Sequence, residues 1–386
     1  MTAPLEGIIV VALEQAISAP FTTRQMADLG ATVIKVERPE GDFARHYDSI
    51  VAGESAFFVW ANRGKQSIAL DLRQQHDLEL LHALIAGADV FLHNVSPEAA
   101  QRVGVDAATL HANYPSLIAA EISGYGAGGP RSGDKAYDLA IQAEAGVFSV
   151  TGNDEMSKVG FSVADICAGM YGLTSILAAL VRRERTGEGA AIEIAMLDSL
   201  VEWLSAPLYA AAYSGKQAPR TGRRHHAIAP YGTFRLSDDS VVLIAVQSDG
   251  EWRSMAEHVL GEPELGTDPR FVSNAQRIAN VDELEAVIRA RFERMPAADV
   301  IAGLDSGRIA HARVNDLAGV WQHEQLRARE RFVQVSSPSG DLELLAPPFS
   351  ISGLDFPPGR IPALNEHDDQ VIDEIVTRGR GRNVNQ

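Results

Sequence analysis

Cysteine is nearly missing from this 386-residue chain, in which Cys167 stands alone. A lone thiol excludes an internal disulfide and a zinc site built on cysteine pairs, and it fits a cytoplasmic protein. Basic residues are scarce beside acidic ones, 34 Lys and Arg against 51 Asp and Glu, giving a net charge of −17. That surplus argues against nucleic acid or an anionic membrane as partner. It does not exclude an anionic ligand, for which the few cations must be gathered locally. No run reads as a membrane span, because the longest apolar stretch, Ile166 to Val181, is short and broken by polar residues. The opening MTAPLEGIIVVALEQ lacks a basic region and carries Glu6 and Glu14, so no secretion signal is expected. Neither H-E-x-x-H nor glycine-lysine followed by serine or threonine occurs, so no metal and no P-loop nucleotide site is expected.

Apolar material for a large core is there: hydrophobic residues make up 46% and charged residues 22%, the profile of a soluble globular protein. The first third alternates short β-rich runs with helical patterns. Strands are expected at Ile8–Leu13, Thr32–Val36, Val90–Leu92 and Leu117–Ile122, with a helix opened by Pro20 and another around His76–Ala86. Strands separated by helices predict an α/β fold with a doubly wound, Rossmann-like parallel sheet and ligands at the strand carboxyl ends. A long helix over 165–184 is stopped by Thr186-Gly187 and followed by a strand over 191–195. The expected organisation is a large α/β domain over 1–207 and a linker over 208–229. A smaller α+β domain over 230–330 follows, with a hairpin at 236–246 around Asp238-Asp239, and 331–386 returns to the large domain. The tail after Arg378 is read as disordered.

Gly124-Tyr-Gly126-Ala-Gly128-Gly129 satisfies G-x-G-x-x-G after a strand, but Pro130-Arg-Ser-Gly-Asp follows where a dinucleotide site needs a helix. A nicotinamide cofactor is therefore not expected, and the segment reads as a loop fit to serve as a lid. His225 and His226 are adjacent, a poor spacing for joint metal ligation, and read as part of a solvated basic loop with Arg220, Arg223 and Arg224. Asp165, in Gly160-Phe-Ser-Val-Ala-Asp165-Ile-Cys-Ala-Gly169, has two readings. It is the N-cap of the long helix, or a nucleophilic carboxylate kept ionised by the helix terminus, whose N–H groups would also serve an oxyanion. Arg38, Arg102 and Lys135 each read as surface charges taken singly. Together, on an acidic protein, they suit the phosphates of a nucleotide-like ligand.

Ordered along the chain, many short segments resemble the class III coenzyme A transferases, the CaiB/BaiF family. They include Ala19-Pro20-Phe21, 26–31, Val33 to Pro39, Asn62-Arg63-Gly64-Lys65, Leu70-Asp71-Leu72, Ala88-Asp89-Val90 with Asn94, and Ile122 to Gly126. Tyr137-Asp138, the Asp165 segment, 185–189, Pro230-Tyr231-Gly232 and Asp268 to Phe271 continue it, so the resemblance runs from residue 7 to about 355. It implies that Asp165 is the catalytic aspartate. Arg38, Asn94, Arg102 and Lys135, with Leu72 and Ala16, fall where relatives contact coenzyme A. Gly124, Gly126, Gly128 and Gly129 would form a lid near the acyl end, with Ile17 and Tyr137 at the substrate. No metal or redox cofactor is implied, and the family's interlocked homodimers would make 208–229 and 330–350 the arms of a ring.

Within the family, the stretch from Ala12 to Ala16 with Phe21 to Gln25 is most similar to transferases that exchange C4–C5 dicarboxylates such as mesaconate, itaconate, citramalate and malate, often from succinyl-CoA. Oxalate-type members carry glutamine where Ile17 stands, which disfavours oxalate. Relatives more often have arginine at Gly250, whose absence leaves the acceptor open. Arg24, Arg45 and Arg63 are candidates to pair a second carboxylate. An α-methylacyl-CoA racemase, which shares the fold, would need a histidine as part of its acid–base pair, and none occurs between His111 and His225. The same fold could also serve a non-catalytic CoA-ester binder or a thioester hydrolase.

Overall fold

A computed structural model describes residues 3–383 of the chain. Its centre is a six-stranded, wholly parallel sheet in the order β3-β2-β1-β4-β5-β6. The strands are β1 (Ile9–Leu13), β2 (Thr32–Glu37), β3 (Lys65–Ala69), β4 (Val90–His93), β5 (Ile118–Ser123) and β6 (Ala190–Ala195). The mixed α/β class is as expected. Central strands with both faces covered need continuous apolar runs, and Val10, Val11, Val33, Ile34, Val90 and Phe91 are all buried. Strand β3 escapes the pattern because it buries Lys65 and Ser67. Those side chains answer Glu14 and Glu37, at 2.6 Å in each case.

Two helices matter most on one side: α1 (Ser18–Asp28) and a long helix, Val163–Thr186. They pack closely because Gly169 and Gly172 carry no side chain. A Cβ on Gly169 would lie 2.8 Å from the Ser18 carbonyl, and one on Gly172 would lie 2.9 Å from Thr22 Oγ1. The long helix ends at Gly187 in the left-handed conformation, φ 75°, as its sequence predicts. By length and composition it could cross a membrane, so the short apolar run underestimated it, but 50% of its apolar window is buried inside the fold. On the other side of the sheet, Gln75–Gly87 packs against the C-terminal helix Asp369–Asn383. The expected disorder after Arg378 is corrected there. Gly379 fits against the Gly87 backbone, and Arg378 pairs with Asp89 at 2.7 Å. The last part of that tail, 384–386, lies outside the described residues.

The chain forms two compact units, one of 1–147, 158–216 and 326–386, the other of 148–157 and 217–325. The second holds a three-stranded antiparallel sheet, β7 (Tyr231–Arg235), β8 (Val241–Ala245) and β9 (Ala310–Arg313), with helices around Phe234, Trp252, Phe271 and Phe292. Its first hairpin therefore starts earlier than expected, and Asp238-Asp239 fall in the connecting turn. A helix, Ser205–Ser214, also runs from the expected large domain into the stretch read as a linker.

Candidate active site

Strand order reverses between β1 and β4, and a crevice opens beyond their carboxyl ends. Asn94, just past β4, closes the floor of that crevice. Its side chain accepts from the Gln15 backbone N–H at 2.9 Å and donates to the Gln15 carbonyl at 2.8 Å and to Ser18 Oγ at 3.1 Å. The chain then turns through Ala16, whose φ of 59° is unusual for an alanine. The Ala16 N–H donates to Asp42 at 3.1 Å, and Asp42 is itself paired with fully buried Lys35 at 2.8 Å. Glu14, Lys35, Lys65 and Asp42 form a buried charge cluster beneath this turn, which fixes where Ile17 and Ser18 begin α1.

Asp165 comes from the long helix and faces the start of α1. It is not the N-cap: Ser162 holds that position, and Asp165 lies in the first turn. The carboxylate that caps the helix is Asp138, on the helix Asp138–Glu144. Asp138 accepts from the Ala164 N–H at 2.8 Å and the Asp165 N–H at 3.4 Å, and Gln142 donates to it at 2.7 Å. This overturns two expectations at once. The N–H groups expected for an oxyanion are occupied by Asp138, and Asp165 gains little from the terminus. Burial, then the neighbouring Asp138 charge, push Asp165 up to about 7, while the Ser18 hydroxyl and backbone N–H oppose the rise.

A cavity of about 640 Å³ collects Ala16, Ile17, Asn94, Gly124, Lys135, Tyr137 and Asp165. Lys135 stands 5.4 Å from the Tyr137 ring and is the cation among its lining residues. A second cavity of about 460 Å³ shares Gln15 and Val95 with the first and gathers Arg38, Leu72 and Arg102. Arg73, which sequence reasoning passed over, lines it too and pairs with Asp71 at 2.8 Å. The glycine segment enters a helix only at Asp138. Gly124 must be glycine, since a Cβ there would lie 2.1 Å from that of Ala136. Gly126, Gly128 and Gly129 stay outside the cavity lining. Gly126 donates to Ser123 Oγ at 3.1 Å, and the Ala127 N–H is held by Glu193.

The candidates for a second carboxylate are corrected. Arg24 and Arg63 both pair with Asp28, at 2.7 and 2.8 Å, and Arg45 pairs with Glu37 at 2.7 Å. All three are bound to internal acids whose own burial demands a partner. In the other unit, His225 stacks on His226 and Tyr231 at ring distances of 4.8 and 5.1 Å. Among the described residues no group of three or more His, Cys, Asp or Glu could hold a metal. Gly250 lies in the first turn of a helix, Asp249–Met255, closed by a Ser248–Glu251 capping box.

An α/β chain with a carboxylate at the switch point and cations in a connecting cavity is built for an anionic ligand that reacts at one end. Comparison with known proteins narrows that class. Residues 5–368 match the sequence model of CoA-transferase family III, and the chain belongs to that family. It is an enzyme with transferase activity. Over 371 residues it is 34% identical to the acetyl-CoA:oxalate CoA-transferase of Acetobacter aceti, covering 95% of this chain and 94% of that one. It is 32% identical to the succinyl-CoA:mesaconate CoA-transferase of Haloarcula marismortui, covering 98% of each. The crystal structure of a CAIB/BAIF family protein from Brucella suis superposes with a TM-score of 0.86 at 34% identity, covering 97% of this chain and 100% of that one.

Proposed function

We propose that this enzyme moves coenzyme A between two dicarboxylic acids with Asp165 as nucleophile. The observation that carries this is the half-buried Asp165 carboxylate, set in a cavity that shares walls with one lined by Arg38 and Arg102. The second cavity suits the nucleotide end of CoA: the arginines meet its phosphates and Leu72 flanks the base. Ala16, Asn94 and Lys135 lie where the thioester arm would pass, and Ile17 and Tyr137 where the acyl group would rest.

In the first step the Asp165 carboxylate attacks the thioester carbonyl, and the C–S bond breaks to give a mixed anhydride and CoA thiolate. The thiolate attacks the aspartyl carbonyl and releases the donor acid, leaving an aspartyl–CoA thioester. The acceptor carboxylate then attacks that thioester, forming a new anhydride and freeing the thiolate again. Attack of the thiolate on the acceptor carbonyl yields the new acyl-CoA and restores Asp165. Each step exchanges one activated acyl group for another, so no external energy is required. Water must be kept from the anhydride, which gives the Gly124–Gly129 loop its role as a lid.

Among acceptors, mesaconate and related C4–C5 dicarboxylates remain favoured by the sequence, with succinyl-CoA as donor. Ile17 speaks against oxalate, yet the relative named for oxalate is 34% identical and the one named for mesaconate 32%. Our reading includes a cytoplasmic protein that works as an interlocked homodimer. Helix Ser205–Ser214 supports a partner, since none of its residues is buried and Tyr209 and Tyr213 are 56% and 92% exposed.

The test is incubation with succinyl-CoA and, separately, mesaconate, itaconate, citramalate, malate, glutarate, oxalate or no acid, with CoA esters resolved by mass spectrometry. A new ester with matching loss of succinyl-CoA is expected, absent from Asp165→Ala. That variant should fold, because its surroundings disfavour the charge being removed. Transfer retained in Asp165→Ala would sink the assignment. Free CoA and succinate without any acid would indicate a hydrolase, and α-proton exchange without transfer a racemase.

A further inference from the structure

The contacts of Asn94 leave its amide one orientation. Gln15 presents a backbone N–H to one end, which must be Oδ1, and a carbonyl to the other, which must be Nδ2. The remaining hydrogen of Nδ2 points at Ser18 Oγ, 3.1 Å away. Ser18 is 4% exposed, and its oxygen is thereby an acceptor from Asn94, so its own proton is left to donate. The acceptor available to it in the same cavity is the Asp165 carboxylate, whose charge both the Ser18 hydroxyl and the Ser18 backbone N–H favour. Helix packing keeps the two together. Thr22 Oγ1 donates to the Gly169 carbonyl at 2.9 Å, one turn beyond Asp165, and Gly169 admits the Ser18 carbonyl where any side chain would collide.

We propose that Ser18, oriented by Asn94, is a positioning residue that aims the Asp165 carboxylate at the thioester carbonyl and supports its charge. The inference rests on Asp165 as the nucleophile. It gives Asn94 a role exerted through Ser18, whether or not it also meets CoA. Facing Asp165 from the other elements are Asp138 at the head of its helix, Tyr137 beside it, and Tyr47. Glu98, Asp134 and Lys135 line the same cavity, and Cys167 follows on the same helix. Acidic groups predominate in this set, so a donor such as the Ser18 hydroxyl has an outsized effect on the balance between carboxylate and acid.

The experiment compares wild type, Ser18→Ala and Ser18→Thr, with fold checked by circular dichroism. The first readout is carbodiimide labelling of Asp165 in the absence of substrate, followed against pH by peptide mass spectrometry, since only the protonated acid reacts. The second is the acidic limb of kcat/KM. Ser18→Ala should move both midpoints up by roughly one pH unit and lower kcat/KM at neutral pH up to about tenfold. Ser18→Thr should keep both near the wild-type values. Asn94→Ala, which leaves the hydroxyl present but unoriented, should move the labelling midpoint the same way, and it carries the test if Ser18→Ala does not fold. Midpoints within about 0.2 unit of wild type in Ser18→Ala, or in Asn94→Ala where that variant carries the test, would overturn the proposal. If Asp165→Ala still transfers CoA, the nucleophile assignment fails separately, and the labelling midpoint continues to report on the Ser18 contact.

Discussion

A carboxylate that attacks a thioester must be ionised and must also be kept from water, and Asp165 is placed where those demands conflict. Burial and Asp138 push it up to about 7, so a large share is the unreactive acid at neutral pH. The sign follows directly. Well below this value each further unit of pH lost removes about nine-tenths of the remaining carboxylate, and one unit above it about nine-tenths of the group is ionised. The kcat/KM for acyl-CoA should therefore rise tenfold per unit at acid pH and level off above about 7. Asp138→Asn gives the check. Its Oδ1 can still cap Ala164, but the neighbouring charge is gone, so the limb should move to lower pH. A limb that stays in place would show that burial alone sets the Asp165 carboxyl.

Between helices, the decisive contact is the approach of α1 to the long helix at Gly169. A methyl there would meet the Ser18 carbonyl at 2.8 Å and the Phe21 ring at 2.9 Å, and neither is the loose end of a flexible chain. Gly169→Ala should cost about 1–3 kcal/mol of stability, as overpacking does, and should lower kcat more than it raises the KM for acyl-CoA. Thermal melts and steady-state kinetics read both, and an unchanged Tm with normal kcat would contradict the packing account. This contact was not legible in the sequence, although the helices were. Apolar runs and the Gly187 stop identified the strands and the long helix. Lys65 and Ser67 hid β3, because their burial is balanced by Glu14 and Glu37 far away in sequence. The cap was misassigned for the same reason: Asp138 reaches Ala164 across 26 positions, and no local pattern records it. Arg24, Arg45 and Arg63 looked available for substrate only because Asp28 and Glu37 cannot be recognised as their partners before folding. The site candidates came from the ordered resemblance to a family, and of these Asp165 lines one cavity while Arg38, Leu72 and Arg102 line another that shares Gln15 and Val95 with it.

For the whole molecule, the chain leaves one compact unit twice, over 148–157 and over 217–325, and its last segment, 326–386, belongs to the first unit again. The proposed interlocked dimer has a property that ordinary dimers lack. Two surfaces that merely dock separate on dilution and exchange partners at a rate set by koff. Linked rings separate only if one of them opens, which requires breaking the contacts that hold the return segment, among them Gly64 N–H to the Arg360 carbonyl at 2.8 Å and Arg378 to Asp89. Their exchange is therefore tied to unfolding. The 41.5 kDa chain should run in light scattering at about twice that mass and keep doing so at nanomolar concentration. Mixing tagged and untagged dimers should produce no hybrid over many hours, whereas co-expression, or joint unfolding and refolding, should produce it freely. Hybrids formed by simple mixing would leave a dimer that is docked rather than linked, and a monomeric mass would remove the dimer altogether. Leu208→Glu with Tyr209→Ser separates these cases further. On a docked dimer, charge on that exposed helix face should release monomers, while linked rings should stay dimeric and show the strain as a lower Tm.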